Sequence, residues 1–188
     1  MPGKFSNLSY RARGASNLGG LARMVLFAES DFTAGWPKKS DITAGEITTA
    51  PPVSVGVVAA ELTFDHGTGR GKSAKKGALG YQSYDHSVEC KFAGVSKEQM
   101  ATVDKFLNEG GVAIAYYKDG SRRVFGASWN PLVIEDSDDS GAKGDDQNQI
   151  SFSAAAMGLN FHAPYLATAT VIPTDATAVK PMPFATGA

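Results

Sequence analysis

Apolar residues recur along this chain at two different periods, and the switch between the periods marks out its elements. From Ser96 the period is helical: Met100, Val103, Phe106 and Leu107 fall on one stripe, which predicts a helix over about 97–108. Ser96 is the expected N-cap, and Gln99 three residues later completes a capping-box pattern. Gly110-Gly111 is the expected stop, because glycine accepts the left-handed conformation that closes a last helical turn. The period then becomes two. Val112-Ala-Ile-Ala-Tyr-Tyr117 and Arg122-Arg-Val-Phe-Gly126 flank Asp119-Gly120, a strong short-range signal for a β-hairpin. A two-residue turn there pairs Tyr116 with Arg123, Ala115 with Val124 and Ile114 with Phe125. Val112, Ile114, Tyr116 and Phe125 then share the face expected to receive the helix.

Elsewhere strands are expected at Leu21–Ala28, Val53–Phe64 and Tyr81–Phe92. The third alternates well, with Tyr84, His86, Val88, Cys90 and Phe92 opposed to Ser83, Asp85, Ser87, Glu89 and Lys91. Leu132–Ile134 reads as a short strand, and Gln149–Ala156 and Leu166–Ile172 as the closing ones. Between the first two lies a long irregular segment, 29–52, in which Trp36-Pro37 and Pro51-Pro52 preclude a regular ladder. Its length predicts that it binds something or wraps a neighbour. The glycine-rich basic stretch 65–77 and the acidic stretch 135–146 are expected to protrude as loops. Residues 1–20 read as an N-terminal arm and 173–188 as a Pro/Ala/Thr-rich tail, with no internal repeat between them. Residues 21–172 thus make one mainly β domain, a β-sandwich or partly closed barrel of six to eight strands with one flanking α-helix.

Composition adds exclusions. An apolar share of 43% supports a sizeable core, and 18 basic against 19 acidic residues give no bulk charge for nucleic-acid binding. Cys90 is the single cysteine, so an intrachain disulfide is impossible and a zinc site would need other ligands. No apolar run suits a signal peptide or a membrane span, so folding in a cytoplasm is expected.

Candidate chemistry is sparse. Gly67-Thr-Gly-Arg-Gly-Lys-Ser73 resembles a phosphate-binding P-loop, but His66 stands where its first glycine belongs and no helix pattern follows. Asp136, Asp138, Ser140 and Gly141 could begin a calcium loop, but its twelfth position is Gln147 rather than glutamate. His66, His86 and His162 have no ligand spacing, and His86 and Cys90 share an apolar strand face that makes them core residues. No nucleophile elbow or diagnostic carboxylate pair is present. The reading is a non-enzyme with no catalytic residue, no metal site and no cofactor.

What remains is architecture: arms, a compact β core and two oppositely charged segments suited to contacts between copies. Arg70, Lys72, Lys75 and Lys76 are expected to meet Asp136, Asp138 and Asp139 of a neighbouring copy, with Trp36 as a further contact. The order of features resembles the phage major tail tube proteins. The resemblance rests on Gly19-Gly20 before the first strand, the Trp36-Pro37 loop, the excursion after Phe64, the Ser96 helix, the Asp119-Gly120 hairpin and the run from Arg123 to Ile134. It implies hexameric rings stacked head to tail into a tube that conducts DNA without binding it specifically. Its further implications are partner tail proteins at the tube ends, no membrane, and assembly in a host cytoplasm into a virion tail. Segment 65–77 would be the loop that reaches the next ring. The lumen would be polar and mostly acidic, with Ser83, Asp85, Ser87 and Glu89 as candidate lining residues, because each cation would add affinity for phosphate. Other readings are a tail terminator, a baseplate-hub or capsid decoration protein and, from a different class, a small-ligand-binding β-barrel.

Overall fold

Alternating apolar and polar residues put much of the chain into strands. The computed structural model describes residues 19–143 and 146–174. The strands are β1 (Leu21–Ala28), β2 (Ile42–Thr43), β3 (Glu46–Ile47), β4 (Ala60–Leu62), β5 (Arg70–Lys76) and β6 (Ser83–Ala93). After the short helix α1 (Lys97–Val103) come β7 (Gly110–Tyr117), β8 (Arg122–Phe125), β9 (Leu132–Asp139), β10 (Gln149–Leu159) and β11 (Tyr165–Leu166). All eleven belong to one unclosed sheet in the order β2-β3-β11-β8-β7-β9-β10-β6-β5, with β1 and β4 added beyond β7.

The sheet folds into two layers at β7. One edge of β7 is taken by β1 and the other by β8 as far as Ala113, after which Gly110 and Gly111 pair with β9. A side chain at Gly111 would lie 2.8 Å from the Phe27 carbonyl oxygen, so the bend requires glycine. The bend sets β9-β10-β6-β5 against β1-β7-β8. Met24, Leu26, Ala113, Ala115 and Phe125 of one layer meet Val88, Cys90, Phe152, Ala154 and Ala156 of the other in a shared core. The fold class expected from the alternation is therefore observed, as a mainly β, two-layered arrangement with one helix.

The far face of the first layer is also buried. Val25, Phe27, Val112, Ile114, Val124 and Leu166 lie beneath Phe32, Trp36, Ile47, Val53 and Val57. The long irregular segment thus wraps its own domain, which corrects the expectation that it reaches outward. Trp36 is 2% exposed and stacks on Phe32 at 6.0 Å, so it is core and not an intersubunit contact. Of the expected strand Val53–Phe64 only Ala60–Leu62 is a strand, and of Leu166–Ile172 only Leu166. The N-terminal arm through residue 18 and the tail from 175 lie outside the described residues.

The Ser96 unit differs in two respects. The hairpin loop holds three residues: Tyr117 N–H donates to the Ser121 carbonyl, and Gly120 takes φ 84°. Tyr116 therefore faces Arg122, Ile114 faces Val124 and Ala113 faces Phe125. This one-residue shift moves Phe125 from the Ile114 face to the interlayer core. The helix is shorter than expected, ending at Val103 with one 3-10 turn to Phe106 and a left-handed Asn108 before the glycines. Its capping box is as expected, with Ser96 Oγ accepting from Gln99 N–H at 3.2 Å. The helix docks on the second layer, not on the β7-β8 face, through half-buried Phe106 against Phe152. It buries no residue fully, and Leu107 is exposed.

Candidate assembly surface

The second layer, β5-β6-β10-β9, places most of the charged residues singled out in the sequence. Both segments expected to be loops contribute strands to it. Arg70–Lys76 pairs with β6, Arg70 opposite Glu89 and Lys76 opposite Ser83. Glu135–Asp139 extends β9 along β10, Glu135 opposite Ser153 and Asp139 opposite Gln149. The correction has a physical source: β6 and β10 are eleven-residue strands, and each needs a neighbour along its full length. Among the described residues of the acidic segment, 140–143 and 146 remain outside strands, with Asp146 Oδ2 accepting from the Ala142 and Lys143 N–H groups.

Both ends of this layer are open among the described residues. β5 pairs only with β6, and β9 beyond Val133 pairs only with β10. The β5 edge carries Arg70, Lys72, Lys75 and Lys76, while the β9 edge carries Glu135, Asp136, Asp138 and Asp139. The two candidate groups are thus on opposite edges of one sheet. Glu135 escapes a reading of the sequence alone, in which the apolar run of this strand ends at Ile134.

The outward face is polar. Pairing places Arg70, Lys72 and Lys76 of β5 beside Ser83, Asp85, Ser87, Glu89 and Lys91 of β6, so the four candidate lining residues share one face. Ser151, Ser153 and Ala155 of β10 and Val133, Glu135, Ser137 and Asp139 of β9 continue it. Four cations, Arg70, Lys72, Lys76 and Lys91, face four carboxylates, Asp85, Glu89, Glu135 and Asp139. The face is therefore charge-balanced where an acidic one was expected. Lys76 Nζ lies 2.8 Å from Asp85 Oδ2 and holds that carboxyl below its ordinary pKa.

Behind this face the layers are joined by His86, which is 1% exposed. Its Nε2 lies 3.1 Å from the Phe161 carbonyl oxygen, and its Nδ1 accepts the Gly126 N–H at 3.2 Å. That pair of partners fits the neutral ring with its proton on Nε2. Phe125 and Phe161 pack edge-on to it. Burial pushes its pKa down to about 4, and pushes the Cys90 thiol of the same strand up to about 12. Neither group reaches solvent, and no cluster of three potential metal ligands occurs among the described residues.

Compared with known proteins, the chain matches no family model, no curated protein and no solved structure. No helix among the described residues is long and apolar enough to cross a membrane.

Proposed function

We propose that this chain is a structural protein that assembles with copies of itself into rings, and that the rings stack into a tail tube through which DNA passes. The observation that carries the reading is the second layer, a four-stranded sheet with one basic and one acidic open edge. Each successive pair in β5-β6-β10-β9 is antiparallel, so β5 and β9 run in opposite directions. Copies related by rotation about an axis roughly along the strands keep their directions. The β5 edge of one copy then meets the β9 edge of the next as an antiparallel pair, and the pattern continues from copy to copy. Each junction satisfies open backbone groups on both edges and sets lysines against aspartates. Such a contact is heterologous, and it closes into a ring where the rotation allows.

The bulk of the domain decides which face turns inward. The first layer packs on the inner face of the second, so closure leaves room for it only if the polar face lines the lumen. Six copies would supply about 24 strands, and barrels of about 16 to 18 strands already enclose an aqueous channel. The lining suits passage of a polyanion: its cations have carboxylate neighbours, and small Ser87, Ser151, Ser153 and Ala155 separate them. Uncompensated Lys or Arg contacts would add affinity for each phosphate and retard movement. Negative-stain imaging of the purified chain at high concentration tests the reading. Rings with a central hole, or tubes, are expected; a chain that stays monomeric at every concentration overturns it.

A further inference from the structure

Two exposed apolar features lie at opposite ends of the second layer. At one end, the β5-β6 hairpin tip presents Leu79 at 93% and Tyr81 at 86% exposure. The tip is a built turn: Tyr81 N–H donates to the Ala78 carbonyl at 3.0 Å, and Gly80 takes the positive φ of 93° that such a turn requires. Gly77, at φ 99°, sits where a side chain would come within 2.4 Å of the Tyr81 carbonyl oxygen. At the other end, α1 stands off the sheet and leaves an open groove of about 420 Å³ lined by Leu62, Phe92, Val103, Phe106, Ile150 and Phe152. That volume is in the range of about 300–1,000 Å³ typical of ligand pockets.

We infer that the Leu79–Tyr81 tip of one copy seats in the α1 groove of a second copy, as the axial contact that stacks one ring on the next. A chain cannot fill its own groove with its own tip. The tip precedes Ser83 and the groove begins at Phe92, so the length of β6, roughly 33 Å, separates them. Placement at opposite ends of parallel-running sheets makes the contact head to tail. The charges also match: beside Lys76, whose ammonium holds Asp85, Lys75 flanks the tip, while Glu98 stands at the groove with its side chain 71% exposed. Glu61, also at the groove, is held by Arg23 at 2.6 Å, whereas Glu98 meets only its exposed neighbour Lys97 at 3.6 Å and stays within reach of a lysine from a second copy. Burying a leucine and a tyrosine against these aromatic and aliphatic side chains supplies the apolar core of such an interface, with the ion pairs as its rim. Seated this way, the tip would also cover Phe106, the half-buried aromatic of the turn that follows α1.

The inference rests on the ring reading for its repeat, and the test separates the two. The variant Leu79→Asp/Tyr81→Asp changes only exposed side chains, and an unchanged melting temperature establishes that it folds. Single rings without tubes are expected from it in negative stain; tubes of normal length overturn the axial contact. A second variant, Leu79→Cys/Val103→Cys in a Cys90→Ala background, reads the contact directly. A ladder of disulfide-linked multimers on a non-reducing gel sustains it even if imaging shows no rings, an outcome that sinks the ring reading alone. Uncrosslinked monomer under conditions where tubes form overturns it.

Discussion

His86 is the residue through which protonation reaches the fold. Its neutral ring accepts from Gly126 and pairs with Phe161, and a proton on Nδ1 would remove the first of these bonds inside an apolar setting. Arg123 and His162 nearby oppose the added charge, and Asp85 favours it less strongly than burial disfavours it. The folded pKa, about 4, lies below the ordinary 6.5, so the folded state binds this proton less readily than the unfolded chain. The stabilisation is complete above pH 6.5 and is lost progressively as pH falls toward 4. Its size is on the order of 3 kcal/mol, because each tenfold difference in proton affinity between the folded and unfolded states corresponds to about 1.36 kcal/mol. Denaturant titrations at pH 7 and pH 4.5 check this. The wild-type chain loses stability over that interval, and His86→Gln, whose amide can serve both partners without titrating, loses less. Phe106 and Phe152 supply a second residue-scale contrast. Phe152 is 2% exposed between the layers, so Phe152→Ala should cost about 3–5 kcal/mol. Phe106 is half-buried beside an open groove, and Phe106→Ala should cost about 1–2 kcal/mol, in proportion to the smaller area it removes from water. Equal losses in urea melts would show that α1 packs more tightly than its groove suggests.

At the scale of elements, Gly120 sets the register on which the two cores depend. It holds φ 84° in the three-residue loop, and Asp119 Oδ1 accepts from both the N–H and the hydroxyl of Ser121. Gly120→Ala should cost about 1–2 kcal/mol by forcing a β-carbon into the left-handed region, measurable as a lower midpoint in a thermal melt. The same loop shows where the sequence stopped being informative. Asp119-Gly120 announced a hairpin correctly, but loops of two and three residues share that signature, and the difference inverts every side chain of β8. Strands with a clear apolar pattern were legible: the near-continuous run Leu21–Ala28 and the two alternating faces of β6 stand where the pattern put them. β5 was not, because Arg70-Gly-Lys-Ser-Ala-Lys-Lys76 has little intrinsic strand preference and is a strand through its pairing with β6. The candidate surface was accordingly half legible: its charged residues could be named, but their place on two edges of one sheet, open among the described residues, emerges only from the topology. The Leu79–Tyr81 tip carried no sequence signal beyond two apolar residues among glycines.

At the scale of the whole molecule, the proposed ring makes a demand that a charged surface alone does not. A heterologous junction uses two different edges of each copy, so the effects of reversing their charges must combine in a particular way. Arg70→Glu/Lys72→Glu/Lys75→Glu gives a chain with two acidic edges, and Glu135→Lys/Asp136→Lys/Asp138→Lys gives one with two basic edges. Both sets of side chains lie at the surface, so both variants should fold with melting temperatures near that of the parent. Neither should form rings alone, since every junction would set like charges along a shared strand pair. Mixed in equal amounts, they regain complementary edges at every junction, provided that the two kinds alternate around the ring. Rings should therefore return in the mixture at low salt and weaken as ionic strength rises, because the pairs lie within reach of screening ions. Size-exclusion chromatography with light scattering reads the outcome. Rings from either variant alone would mean that the edges do not meet, and a mixture that stays monomeric while the parent assembles would place the junction elsewhere on the domain.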